Sequence, residues 1–195
     1  MRVRDPESKK RQLIEAALAE FAAHGLAGGR IDAIAQRAGC SSGLVYTYFG
    51  SKEGLFDAVL GFITTSAVQG IPITADDLPG YAEKLHLAGT AHPEVTRFVT
   101  WYQLERDPAD APPMPDEAVK HTIDVVREAP QRGLVRDDID AAALVLALQA
   151  VARMWVTEPK GVLDAVDPGG SEEFRRESVR AAVHALTARP ARDAG

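Results

Sequence analysis

The chain carries one cysteine, Cys40, in 195 residues, so an intramolecular disulfide is excluded. A chain of this length can bury a substantial core without disulfides or metal. No uninterrupted apolar stretch is long enough for a signal peptide or a membrane span, and the expectation is a soluble, cytoplasmic protein without a membrane partner. The five histidines, His24, His86, His92, His121 and His184, form no close i, i+4 pair and no H-E-x-x-H, so no metal site is expected. The glycines between Gly25 and Gly29 lack both the G-x-G-x-x-G spacing and a preceding strand, which argues for a loop rather than a dinucleotide site. A P-loop and a nucleophile elbow are missing as well, so no cofactor and no enzymatic activity are expected. Excess positive charge is also lacking, since the formal net charge is −6.

That charge is unevenly placed. Residues 1–52 hold eight Lys/Arg against five Asp/Glu, +3, and residues 53–195 hold fourteen against twenty-three, −9, which together give −6. A mildly basic end on an acidic body suits a chain that meets phosphate at one end only.

What is present is helical periodicity, and no segment shows strand alternation. Asp5-Pro6-Glu7 reads as a helix start, Leu13, Ala17 and Phe21 recur at helical spacing, and Gly25 can end the helix. Short helices are expected over about 31–38 and 42–48, with a tight turn at Gly39-Cys40-Ser41. A fourth helix starts near Ser51 and is broken by Gly70-Ile71-Pro72. Further helices are expected over about 79–90, 94–106, 116–129, 138–156 and 171–188, with a Pro-rich loop from Asp107 to Pro115 and a connection from Pro159 to Gly170. The helix at 138–156 is apolar on two sides: Ile139, Ala143, Leu146 and Ala150 on one, Leu144, Leu148, Val151 and Trp155 on the other. Such a helix has to be buried on both sides, one of them against a second partner. The fold class is all-α.

Function is concentrated in residues 30–56, RIDAIAQRAGCSSGLVYTYFGSKEGLF. Two short helices joined by a Gly-bearing turn describe a helix-turn-helix. Ile34, Ala35, Ala38 and Val45 let the helices cross closely, Gly39 permits the turn, and Ser41 or Ser42 can cap the second helix. Ser42, Gly43, Leu44 and Thr47 leave a slim, uncharged front that fits a major groove. Tyr46, Tyr48 and Lys52 place two hydroxyls and a cation where phosphates would flank it.

These residues resemble the tetracycline-repressor (TetR) family of bacterial regulators. The family pattern is matched by Ile34, Ala35, Ala38, Gly39, Ser41, Gly43, Tyr46, Phe49, Lys52, Glu53 and Leu55. It is departed from at Cys40, Val45 and Tyr48. The similarity covers about residues 8–60, with GLVRDDID at 133–140 as a further point of likeness. It implies a helix-turn-helix domain over residues 1–50, its connecting helix starting up to about residue 60, and a regulatory and dimerisation domain over 51–195. It also implies a homodimeric repressor that binds palindromic double-stranded DNA and is released by a small-molecule effector. On that resemblance Ser42, Gly43, Leu44 and Thr47 read bases, while Arg30, Ser41, Tyr46, Tyr48 and Lys52 support DNA binding. Phe98, Trp101, Tyr102, Met154 and Trp155 are candidates for an effector pocket. Leu146, Leu148, Val179, Val183 and Leu186 are candidates for the dimer interface. A regulator whose C-terminal domain answers to a protein partner, or an all-α enzyme, are the alternatives.

Overall fold

The computed structural model describes residues 6–110, 117–129 and 135–188. Within them the order is α1 (Pro6–Gly28), α2 (Ile31–Arg37), α3 (Ser42–Phe49), α4 (Lys52–Gly70), a 3-10 turn (Ala75–Asp77), α5 (Leu78–Ala91), α6 (Pro93–Glu105), α7 (Glu117–Glu128), α8 (Ala141–Thr157), α9 (Lys160–Val166) and α10 (Glu172–Thr187). The expected all-α class holds, with no strand among the described residues. The proposed cap Asp5 lies outside those residues, as do Pro130 and Gly133, which follow the helix expected over 116–129.

The chain forms two compact units, and neither is a continuous stretch. The first comprises residues 1–66 and 92–115, the second residues 67–91 and 116–195. In the first unit α1 packs against α2 and α6, and α2 against α3. Its core is aromatic: Phe21, Phe56 and Phe98 are fully buried with Leu13, Ile34, Val45 and Leu55. Phe21 meets Phe56 edge-on at 5.0 Å between centroids, and Tyr102 stacks on Phe56 at 5.2 Å. Each such pair adds about 0.5–1.5 kcal/mol beyond its burial. On α4 the Asp57 carboxylate accepts from Tyr102 Oη at 2.8 Å and from Arg106 Nε and Nη2 at 2.9 Å each. Burial first, then that bond to a carboxylate, pushes the Tyr102 phenol up to about 12.

Gly25 takes φ +68° and ψ −175°, a conformation open to glycine alone, and the first helical run of α1 stops there as expected. After this kink a second, short helical run continues α1 to Gly28. The Glu105 carboxylate on α6 accepts from the backbone N–H groups of Leu26 and Ala27, the donors a restarting helix leaves unpaired. A Cβ at Gly25 would sit 2.6 Å from Glu105 Oε2 and 2.9 Å from Trp101 Cε3. The close approach of α6 therefore fixes glycine here.

The second unit has an aliphatic core of Leu78, Ala82, Val126, Leu144, Val145, Leu148, Ala152, Val179 and Val183. Its helices α5, α8 and α10 pack on one another, with α7 against α8. Asp140 caps α8 by accepting from the N–H groups of Ala142 and Ala143, so the helix starts at Ala141 rather than near residue 138. Ser171 caps α10 in the same way through Phe174 N–H. The connection from Pro159 to Gly170 is not irregular throughout, because it contains α9. Two turns are too short to reveal a period, and only the i, i+4 pair Lys160–Asp164 supports the helix from within. Buried Asp167 then closes the corner, accepting from Ser171 N–H and from Arg175 Nε at 2.7 Å. On another face Glu83 joins α5 to α10 through Arg176 and Arg180.

Candidate nucleic-acid interface

Helix α3 is held at one side and bare at the other. Val45 is fully buried in the first unit's core, where α3 packs on α2, and Phe49 is partly buried in the same core. Gly43, Tyr46 and Thr47 are exposed, Tyr46 to 50%, while Ser42, Leu44 and Tyr48 are half-buried. The turn before α3 relies on Gly39 at φ +62°. Ser41 occupies the N-cap position, but its hydroxyl makes no capping bond. Ser42 Oγ points across to α2 instead and donates to Asp32 Oδ1 at 2.5 Å. Thr47 Oγ1 donates back to Gly43 O at 2.9 Å.

Cationic groups surround this face. Arg30 is exposed at the N-cap of α2, its backbone N–H held by Glu20 Oε1 at 3.2 Å. Lys52 Nζ donates to Ala27 O at 3.1 Å, which anchors the ammonium at the α1–α2 corner with further donors remaining. Lys9 Nζ donates to Ala38 O at 2.6 Å and to Gln12 Oε1 at 3.2 Å, and so reaches the turn from α1. Pro6, Lys9, Gly39, Cys40, Ser41, Leu44 and Tyr48 line an open cleft of about 330 Å³ at that place. The structure thus gathers Arg30, Ser41, Ser42, Gly43, Leu44, Tyr46, Thr47, Tyr48 and Lys52 on and around one short helix. Lys9 and Asp32 join them. Neither is marked by the helix-turn-helix pattern, because each is placed by a bond to a residue ten or more positions away.

Comparisons with known proteins show which family this fold and sequence belong to. Residues 13–59 match the model of the bacterial regulatory proteins of the tetR family, and residues 77–184 match the tetracyclin repressor-like C-terminal domain. The chain belongs to the TetR family. It is 35% identical over 193 residues to the HTH-type transcriptional repressor SCO4008 of Streptomyces coelicolor, spanning 97% of this chain and 100% of that protein. The crystal structure of SCO4942 from Streptomyces coelicolor, described as a transcriptional regulator, superposes with a TM-score of 0.79. That match has 33% identity over 93% of this chain and 99% of the other. A structure concerned with control of antibiotic production by bacterial hormones follows at 26% identity and a TM-score of 0.67, covering 95% and 100%. As a TetR-family member, the chain is a DNA-binding helix-turn-helix regulator of transcription.

The other expected site residues fall into both units. Phe98 is fully buried in the first unit's core, with Trp101 and Tyr102 packed against it, whereas Met154 and Trp155 belong to the second unit. Phe98 is therefore a core residue, and the five do not gather within one compact body. In the second unit Trp155 packs edge-on against Phe174 at 5.7 Å, with the Arg175 guanidinium 5.7 Å above its ring. Its buried indole Nε1 has no hydrogen-bond partner among the described residues. The same is true of both ring nitrogens of His86, which is 1% exposed and faces a Glu172 oxygen at 3.4 Å without hydrogen-bond alignment.

The candidate interface residues separate sharply. Leu148, Val179 and Val183 lie within the core of their own unit and have no surface left to offer a second copy. Leu186 is partly buried, and Leu146 is 66% exposed. Both sides of α8 are apolar, so the sequence pattern alone did not say which side the chain keeps for itself. Among the described residues no single helix is long and apolar enough to cross a membrane.

Proposed function

We propose that the chain is a homodimeric repressor that binds a palindromic operator through α3 and its flanking cations and leaves it when a small molecule occupies the second unit. The observation that carries this reading is the uncharged, exposed front of α3, anchored by buried Val45 and flanked by Arg30, Lys9 and Lys52. Residues 1–50, with the start of α4, form the operator-binding part, and residues 51–195 the regulatory and dimerising part. Gly43, Leu44, Thr47 and Ser42 read base edges, while Tyr46, Tyr48, Lys52 and Arg30 position the phosphates. Ser41 lies at the mouth of the same cleft.

The dimer is supported by the side of α8 that its own unit leaves uncovered, where Ala143, Leu146 and Ala150 are exposed. On α10 Ala181 and Ala185 are exposed one turn apart. Small residues on neighbouring helices allow close approach by a second helix pair, with Leu146 as the apolar anchor. The effector reading is supported by the buried, unpartnered nitrogens of Trp155 and His86, because orphaned buried donors are costly unless something binds them. A ligand there would supply an acceptor to the indole N–H. It would act on DNA binding only through unequal affinity for two arrangements of the dimer.

Selection of bound duplexes from a random pool at near-physiological salt tests the reading. Enrichment of a two-fold symmetric sequence is the expected outcome. Recovery of unenriched DNA, held only by salt-sensitive contacts, would contradict it. For the effector, Trp155→Phe keeps the ring and removes the donor. Native mass spectrometry is expected to show a retained small molecule on the wild-type chain that this variant loses.

A further inference from the structure

The face of α3 carries no charged side chain, so discrimination among bases falls to hydroxyls, methyls and whatever its neighbours hold beside it. The hydrogen-bonding character of that face is one-sided. Thr47 has committed its only hydroxyl proton to Gly43 O and turns outward with oxygen lone pairs and a methyl group. Ser42 has committed its proton to Asp32, in a 2.5 Å bond strengthened by the carboxylate charge. Asp32 is exposed in the first turn of α2, alongside the first residue of α3, and an ionised carboxylate only accepts. The described residues give its Oδ2 no donor.

We propose that Asp32 is a specificity-determining residue that accepts a hydrogen bond from the N4 amino group of a cytosine in each operator half-site, with Ser42 holding the carboxylate in place. This rests on the DNA-binding reading above. The choice of base follows from groove chemistry. Guanine offers a carboxylate only the N7 and O6 acceptors, and thymine offers O4 beside a methyl, so both repel it. Adenine has an amino group, but its N7 acceptor lies next to it on the same edge and faces the second carboxylate oxygen. Cytosine alone presents an amino donor with no acceptor of its own on that edge. Acceptor-only Ser42 and Thr47 reinforce the preference for amino groups at neighbouring positions, and the Thr47 methyl suits a thymine methyl.

The contrasting role for Asp32 is a latch that ties α2 to α3 and touches no base. Asp32→Asn separates the two roles. Asparagine still accepts from Ser42 Oγ, so a latch survives. Its amide, however, pairs with adenine N6 and N7 rather than with cytosine N4. The experiment is the random-pool selection run on the full-length wild type, Asp32→Asn and Ser42→Ala, with folding checked by circular dichroism. Wild type is expected to enrich cytosine at one position per half-site, and Asp32→Asn to replace it by adenine while the other positions persist. Affinity of Asp32→Asn for the wild-type duplex should fall about a hundredfold, from a mismatch worth about tenfold in each of the two half-sites. Ser42→Ala should keep the cytosine with a weaker preference, which also serves if the asparagine variant is unstable. The same consensus from wild type and Asp32→Asn would overturn the assignment and leave operator recognition standing. Loss of the cytosine in Ser42→Ala with its retention in Asp32→Asn would also overturn it. Absence of any consensus for wild type would overturn both this proposal and the reading it rests on.

Discussion

The two compact units are built from different materials. The first is organised around fully buried aromatic rings, Phe21, Phe56 and Phe98, and its backbone corner at Gly25 is satisfied by a carboxylate from α6. The second has an aliphatic core, buried and unpartnered ring nitrogens on His86 and Trp155, and large apolar residues at its surface, among them Leu146, Val162, Val166 and Phe174. The first unit leaves Leu104 on α6 and Tyr46 on α3 exposed, at 73% and 50%, but its core is closed, which suits the presentation of a rigid helix. A unit with open polar and apolar valences is suited to partners. This contrast supports the proposed division of labour, with the first unit as the reader and the second as the place for a second chain and an effector.

The largest effect expected from breaking the contrast is that of Phe56→Ala. Phe56 touches Phe21, Phe98 and Tyr102, and truncation should cost about 3–5 kcal/mol in denaturant unfolding. A loss below about 1 kcal/mol would remove the aromatic core as the source of the first unit's rigidity. Next comes Leu146→Glu. The side chain is 66% exposed in the single chain, so the fold should survive. The dimer should weaken by at least about 2 kcal/mol, roughly thirtyfold, in sedimentation equilibrium. An unchanged dimer would move the interface elsewhere.

Gly25→Ala sharpens the comparison from the other side. It should cost about 1–3 kcal/mol, because φ +68° with ψ −175° strains any side chain and the added Cβ meets Glu105 and Trp101. The smallest effect concerns Glu83 in the second unit. The bonds from Arg180 and Arg176 hold its carboxyl below the usual carboxylate range. A folded-state pKa below the unfolded value gives stability that is present above the unfolded value near 4.5 and lost as the pH falls through the folded one. Both arginines are almost half exposed, so solvent screening keeps the gain under about 1 kcal/mol. Thermal melts from pH 6 to 3 should therefore fall slightly more steeply for wild type than for Glu83→Gln. Parallel curves would mean that the α5–α10 bridge adds nothing to stability.

Much of the fold was legible because the helices are periodic and their stops are chemical. The helix-turn-helix was readable residue by residue, since Gly39, Val45 and the small residues of α2 each have a local reason to be there. What escaped depends on partners far away in the chain. Gly25 was readable as a break, but not the restart after it, because the carboxylate that supports that restart is Glu105, on α6. Asp32 carried no signal of its own in the sequence, because what places it is the bond from Ser42, ten residues on. The aromatics of α6 and α8 were candidates for a pocket because pocket and core use the same residues; Phe98 is core in one unit and Trp155 belongs to the other. On α8 the pattern revealed two apolar sides, but assigning Leu148 to the core and Leu146 to the surface required the packing of α5 and α10.

The most direct test of the central claim compares the affinity of the full chain for a selected duplex and for a shuffled duplex of the same composition, at one near-physiological salt concentration. A specific reader should prefer the selected duplex by about a thousandfold or more, and Tyr46→Phe should weaken both duplexes alike. Equal affinity for the two duplexes, from a folded and ligand-free protein, would contradict sequence-specific recognition by α3.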